Sequence, residues 1–149
     1  MTTPGTPGRL AETAGKDICP LGAFHHAALS VRDCEASSRW YQEVLGLQPL
    51  FSEDGAARRA RVLAFQAGGY AVGFVEHHLA DTSPFDPRRT GLDHLAFTVA
   101  SLDVLRQWEK RLDQAGITHS GIITVPTGAI LNFKDPDGIA LALFCDNSQ

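Results

Sequence analysis

The sequence predicts an α+β domain made of two tandem βαβββ modules that share a concave mixed sheet, and three observations lead there. The length, 149 residues with 44% hydrophobic and 20% charged, suits one ordinary globular domain whose core needs no disulfide or metal staple. A strand pattern, a helical pattern and three short strand patterns then follow one another twice. Finally, the two runs align as a repeat: His26 and His94, Val31 and Val99, Trp40 and Trp108, and Phe65 and Phe133 are each 68 apart, and Gly69 and Gly138 are 69 apart.

Residues 1–20 are rich in Gly, Pro, Thr and Ala without hydrophobic period, and read as a flexible leader ahead of a single domain over 21–149. Within that domain the modules cover about 24–76 and 92–145. In the first, Ala27, Leu29 and Val31 alternate with His26, Ala28 and Ser30, the period of a strand with two different faces. Asp33 then caps a helix in which Ala36, Ser37, Trp40, Tyr41, Val44 and Leu45 share one side, and Gly46 closes it. Strands are expected at 47–51, 61–66 and 70–76, followed by an exposed linker over 77–90. In the second module Leu95, Phe97 and Val99 alternate with His94, Ala96 and Thr98. Ser101 caps a helix carrying Leu102, Leu105, Trp108, Leu112 and Ala115 on one face. Strands at about 117–120, 129–134 and 139–145 complete it, the last two joined by the tight turn Asp135-Pro136-Asp137-Gly138.

Composition narrows the function classes. A net charge of −4, with the 13 Lys and Arg scattered, offers no basic stripe for nucleic acid. The longest stretch without Asp, Glu, Lys or Arg, 114–133, contains His119, Pro126 and three glycines and is no membrane span, and the N-terminus lacks the apolar run of a signal peptide. Cys19, Cys34 and Cys145 form no CxxC pair and suggest neither a disulfide framework nor a zinc site. A small-molecule partner and a cytoplasmic address are the expectation.

The histidines carry the chemistry. His26 shares a strand face with Ala28 and Ser30, and His94 with Ala96 and Thr98, so both are expected to line one cavity; the alternative is a pair of hydrogen-bonded core histidines. By the same parity His25 faces away, and His78 and Glu76 fall at an exposed strand end. Cys34 stands at a helix N-terminus, where a thiol is either activated or, more commonly, inert.

The segments FHHAALSVRDCEASSRWYQEVLGLQPLF, GLDHLAFTVASLDVLRQWEKRLDQAGI and NFKDPDGIALALF give the chain, over about 24–145, a further meaning. It resembles the vicinal oxygen chelate superfamily, the glyoxalase, bleomycin-resistance and extradiol-dioxygenase group. The resemblance implies a glyoxalase-like fold with a ligand cup between the modules, a homodimer, and metal ligands on the first and last strand of each module. Those four points fall on His26, Gly73, His94 and Ala142, where only the histidines carry a donor. It therefore implies either a weakly held divalent metal (zinc, iron, manganese or nickel), completed by substrate, a neighbouring subunit or another side chain, or no metal at all. His77, four residues past Gly73, lies roughly 13 Å from that point and fits the cup's rim. Ser30, Gly73, His77, Thr98 and Ala142 are the expected substrate contacts, and the small residues Ala28, Gly73, Ala96, Ala140 and Ala142 suit either a bulky apolar ligand or close sheet packing. Two functions follow: a lyase- or isomerase-like enzyme with His26 and His94 as catalytic groups, a dioxygenase fitting less well, or a protein that binds and sequesters a small molecule.

Overall fold

A computed structural model describes residues 21–65 and 68–147, so the leader expected over 1–20 lies outside the described residues. Among these, the elements follow the expected order twice. The first module contains β1 (His26–Ser30), α1 (Cys34–Leu45), β2 (Gln48–Asp54), β3 (Arg58–Ala64) and β4 (Ala71–His77). The second contains β5 (Leu95–Thr98), α2 (Leu102–Gln114), β6 (His119–Val125), β7 (Gly128–Lys134) and β8 (Ala140–Asp146). The mixed sheet comes as two four-stranded halves, ordered β1-β4-β3-β2 and β5-β8-β7-β6, with β1 and β5 at open edges. β1 runs parallel to β4 and β5 to β8, while the other pairs are antiparallel.

Local chemistry sets the helix boundaries. The Asp33 carboxylate accepts the Ala36 N–H at 3.0 Å, and Gly46 ends α1 in the left-handed region at φ 74°. Ser101 caps α2 by accepting the Val104 N–H at 3.2 Å. Strand limits depart from the expectation where alternation breaks. β6 starts at His119 and runs to Val125 instead of covering 117–120, because Gly121, at φ 72°, sits in a register shift between His119 and Ile122 that hides the strand period. The residue equivalent to Phe133 is Leu63 rather than Phe65: Phe133 stands opposite Leu141 as Leu63 stands opposite Val72, and Phe65 lies beyond the end of β3.

The two modules hide their apolar sides against each other. Leu29, Val31, Tyr41, Leu63 and Phe74 from the first join Leu105, Leu112, Leu131, Phe133 and Leu141 from the second in one buried cluster. Contacts across the joint include Phe65 with Phe97, ring centres 5.4 Å apart, and Trp40 with Phe133 at 6.4 Å. Arg111 of α2 donates to the carbonyls of Val44 and Glu43, which end α1. The helix-bearing sides therefore meet, and the opposite sides of both sheets become outer surfaces.

A polar knot locks this joint. The turn after β7 brings Asp135 under α1, where its Oδ2 accepts the Tyr41 hydroxyl at 3.0 Å and its Oδ1 accepts the N–H groups of Asp137 and Ile139, both at 2.9 Å. Arg32 donates to Asp137 at 2.5 Å, and Gly138, at φ 79°, supplies the turn. Tyr41 is fully buried. Burial first, and then the Asp135 charge, hold its phenol far above the ordinary range, and burial likewise raises the Asp135 carboxyl.

Because the folded phenol binds its proton more tightly than the unfolded one, its contribution is complete below the unfolded value of about 10 and lost as pH rises beyond it. Denaturant unfolding should show Tyr41→Phe less stable than wild type by about 1–3 kcal/mol at neutral pH. Above pH ~10 the wild type should lose up to about 1.4 kcal/mol more per pH unit than the variant. Parallel pH profiles of the two proteins would refute the knot.

Candidate functional site

The outer face of the first sheet is read from its register. His26 stands in line with Ala71, Ala64 and Gln48; Ala28 with Gly73, Val62 and Phe51; and Ser30 with Val75, Ala60 and Glu53. The surface is mostly small and apolar, with His26 and Ser30 exposed at its edge strand. The His26 Nδ1 lies 2.8 Å from the Nδ1 of His25, so one ring donates and the other accepts. His25 was expected to face away; it precedes β1 and escapes strand parity. His77 is exposed at the end of β4 opposite Arg58.

The second outer face is more polar. Ala96 stands in line with Ala142 and Asn132; Thr98 with Phe144, Ile130 and Ile123; and Lys134 with Ala140, beside which His94 precedes β5. The Nδ1 of His94 donates to Asp93 Oδ1 at 2.6 Å, since a carboxylate accepts, and its Nε2 makes no hydrogen bond among the described residues. An open cavity of about 750 Å³ is lined by His94, Asp93, Asn132, Lys134 and Ala140, with His119 at its wall. The His119 Nδ1 accepts the Gly121 N–H at 3.0 Å and its Nε2 donates to Asp113 at 2.9 Å, so both ring nitrogens are committed to the fold.

Within one chain His26 and His94 are not brought together: they occupy outer faces on either side of the shared core, and the cavity beside His94 does not include His26. Ser30 lines a separate cavity of about 290 Å³ beside the linker, and Thr98 another of about 530 Å³ with Phe24, Phe65, Tyr70 and Phe97. Gly73 is buried and Ala142 fully so. These two are equivalent in register, Gly73 opposite Ala28 and Ala142 opposite Ala96, and neither has a donor atom. Among the described residues no three His, Cys, Asp or Glu side chains are grouped to hold a metal ion. The described donors of one chain, two histidines with Gly73 and Ala142 at the other two points, do not form a set that fits a divalent metal.

Asn132 and Lys134 escaped the sequence reading. The available signal was the alternation in Leu131-Asn132-Phe133-Lys134, where the apolar residues are buried and the polar ones exposed. Glu76, expected at an exposed strand end, faces α1 instead. It accepts the Cys34 N–H at 3.1 Å and two bonds from Arg59 at 2.8 and 2.9 Å, contacts that hold its carboxyl below the usual range. Burial, followed by the Glu76 contact, pushes the fully buried Cys34 thiol up, which makes it inert.

A Cβ built on Gly73 meets Ala28 Cβ at 3.6 Å and Val62 Cγ2 at 3.7 Å, ordinary contacts, and its φ is not in the left-handed region. Gly73→Ala should therefore keep or raise the melting temperature, within about 1 kcal/mol of wild type. A large loss would mean that the fold, rather than the ligand face, demands glycine there.

Comparisons with known proteins agree with the fold. Residues 23–143 match the model of the glyoxalase/bleomycin resistance protein/dioxygenase superfamily. A solved glyoxylase/bleomycin resistance protein/dioxygenase domain from Frankia sp. EAN1pec is 34% identical, with a TM-score of 0.78 over 87% of this chain and all of the other. The uncharacterised Bacillus subtilis protein YwkD is 33% identical over 83% of this chain and 97% of its own length. Glyoxylase I 4 of Arabidopsis thaliana is 29% identical over 93% of this chain and 79% of its own.

Proposed function

The chain belongs to the glyoxalase/bleomycin resistance protein/dioxygenase superfamily, and on that premise we propose that it is a lyase- or isomerase-like enzyme for a small organic metabolite, working in a cup that two copies of the chain complete. The observation that carries this reading is His94, held by Asp93 through Nδ1, with its Nε2 unbonded among the described residues, beside Ala140 in the open cavity. Imidazole titrates near neutrality, so a ring held in one tautomer can take a proton from a bound ligand and return it elsewhere without further help. Superfamily members often use divalent metals. Here two imidazoles on separate faces replace a chelating set, and the proton transfer is assigned to the imidazoles.

The second copy supplies what one chain lacks. β1 and β5 are edge strands paired on one side only, and an open edge is a template for another strand. A two-fold pairing of these edges would lay the first outer face of one copy beside the second outer face of its partner, and His26 would then meet the partner's His94. Ser30, Gly73 and Ala142 form the floor and wall of that cup, with Thr98 and His77 nearer its rim.

The apolar row Ala28, Gly73, Val62 and Phe51 favours a second reading, a protein that holds a planar or apolar molecule without changing it. Incubation with a small-molecule extract and mass spectrometry of what is bound and released separates the two. The enzyme reading expects an altered compound, with conversion lowered about 10²–10⁴-fold by His94→Ala. Recovery of the ligand unchanged, or full conversion by the His26→Ala/His94→Ala double variant, would overturn it.

A shared cup also makes a quantitative demand. Mixing inactive His26→Ala and His94→Ala proteins under exchange conditions should restore about a quarter of wild-type turnover, since half of the random pairs are mixed and one of the two cups in each is intact. No recovery would overturn the shared cup.

A further inference from the structure

We infer that the outer face of the second module binds the carboxylate of a short organic acid, held by Lys134 and Asn132 beside His94. This rests on the reading of that face as the ligand site and adds the class of ligand.

Lys134 is an ammonium without a counter-charge. It is the only Lys or Arg in the four strands of its sheet, and it has no ion-pair partner among the described residues. The arginines of the first sheet are treated differently: Arg58 pairs with Glu53, Arg59 with Glu76, and Arg61 with Glu35 and Asp54. In a chain of net charge −4, Lys134 is a cation without an ion pair that lines a cavity beside a histidine. Two residues away on the same strand face, the Asn132 side-chain amide makes no hydrogen bond among the described residues, only its backbone N–H being used, by Ser120. Two adjacent donors on one exposed strand face are therefore left open to an acceptor from outside the protein.

The spacing selects the class. Lys134 lies opposite Ala140, and β5, which His94 precedes, lies on the other side of β8. Strands about 4.8 Å apart put the backbones of Lys134 and His94 roughly 10 Å from each other across an alanine. Once both side chains reach inward, the gap accepts a molecule of about three to five carbons. One ammonium and one amide match the single charge and two oxygens of a carboxylate better than a phosphate dianion. The Asp93 carboxylate also borders the cavity, but it is engaged by the His94 Nδ1 on the side away from Nε2. The acid group would thus sit on Lys134 and Asn132, with its neighbouring carbon under the His94 Nε2.

The test uses the full chain and heteronuclear NMR titration with propionate, pyruvate and butyrate, each against its neutral amide. The expected result is saturable shifts at the Asn132, Ala140 and Ala142 amides with at least one acid, and binding weaker by about tenfold or more for its amide. Lys134→Met should lose about tenfold in affinity while Lys134→Arg stays within about threefold, both with wild-type circular dichroism because the side chain is exposed. No binding by any acid, or equal binding of acid and amide or of wild type and Lys134→Met, would overturn the inference. Acid bound through Lys134 but recovered unchanged would leave this subsite standing and count against the catalytic reading. Turnover of another compound that is lost in His94→Ala, with no acid bound, would do the reverse.

Discussion

A four-stranded sheet backed by a single helix of 12 or 13 residues has more apolar surface on its helix side than that helix can cover. The two modules satisfy this constraint by turning their helix sides toward each other, so that Tyr41 and Phe74 from one share a core with Leu105 and Leu131 from the other. The remaining features follow from that choice. It puts residues of both modules into one buried cluster, and it sends His26 and His94 to outer faces that do not meet inside one chain.

The joint is specified by polar groups as well as filled by apolar ones. A carboxyl under a helix is costly unless its lone pairs are used, and Asp135 uses them on one hydroxyl and two backbone N–H groups. The next acid in the turn, Asp137, reaches Arg32 just after β1, so the turn between the last two strands of the second module grips the first strand-to-helix connection of the other. Apolar packing alone would let two similar modules slide; directional bonds at their contact fix one arrangement. The outer faces inherit their geometry from this fixed joint, with small residues on the central strands and histidines beside the open edges.

Local features were legible in the sequence because local forces produce them. Asp33, Ser101 and Gly46 end their helices by hydrogen bonds and backbone conformation that any helix would need, and the turn at Asp135 to Gly138 has the chemistry of its type. The repeat gave the order of elements and the equivalence of Gly73 with Ala142. A repeat cannot say which sides of its copies pack together, and so the expectation of one cavity for both histidines did not follow from correct strand parity. Glu76 was misplaced for a related reason: its partners, the Cys34 N–H and Arg59, come from another element and another strand. At Gly121 a bulge broke the strand period, and Lys134 escaped the reading because its lack of an ion pair shows only in three dimensions.

The ligand face in this view is complete only when a second copy covers the open edges of β1 and β5. Light scattering on the purified full chain across a dilution series tests that most directly. The expected result is a mass twice that of the chain, falling to one chain only where ligand binding and turnover are also lost. A mass of one chain at every concentration, with turnover intact, would contradict it and place the whole working site on a single outer face.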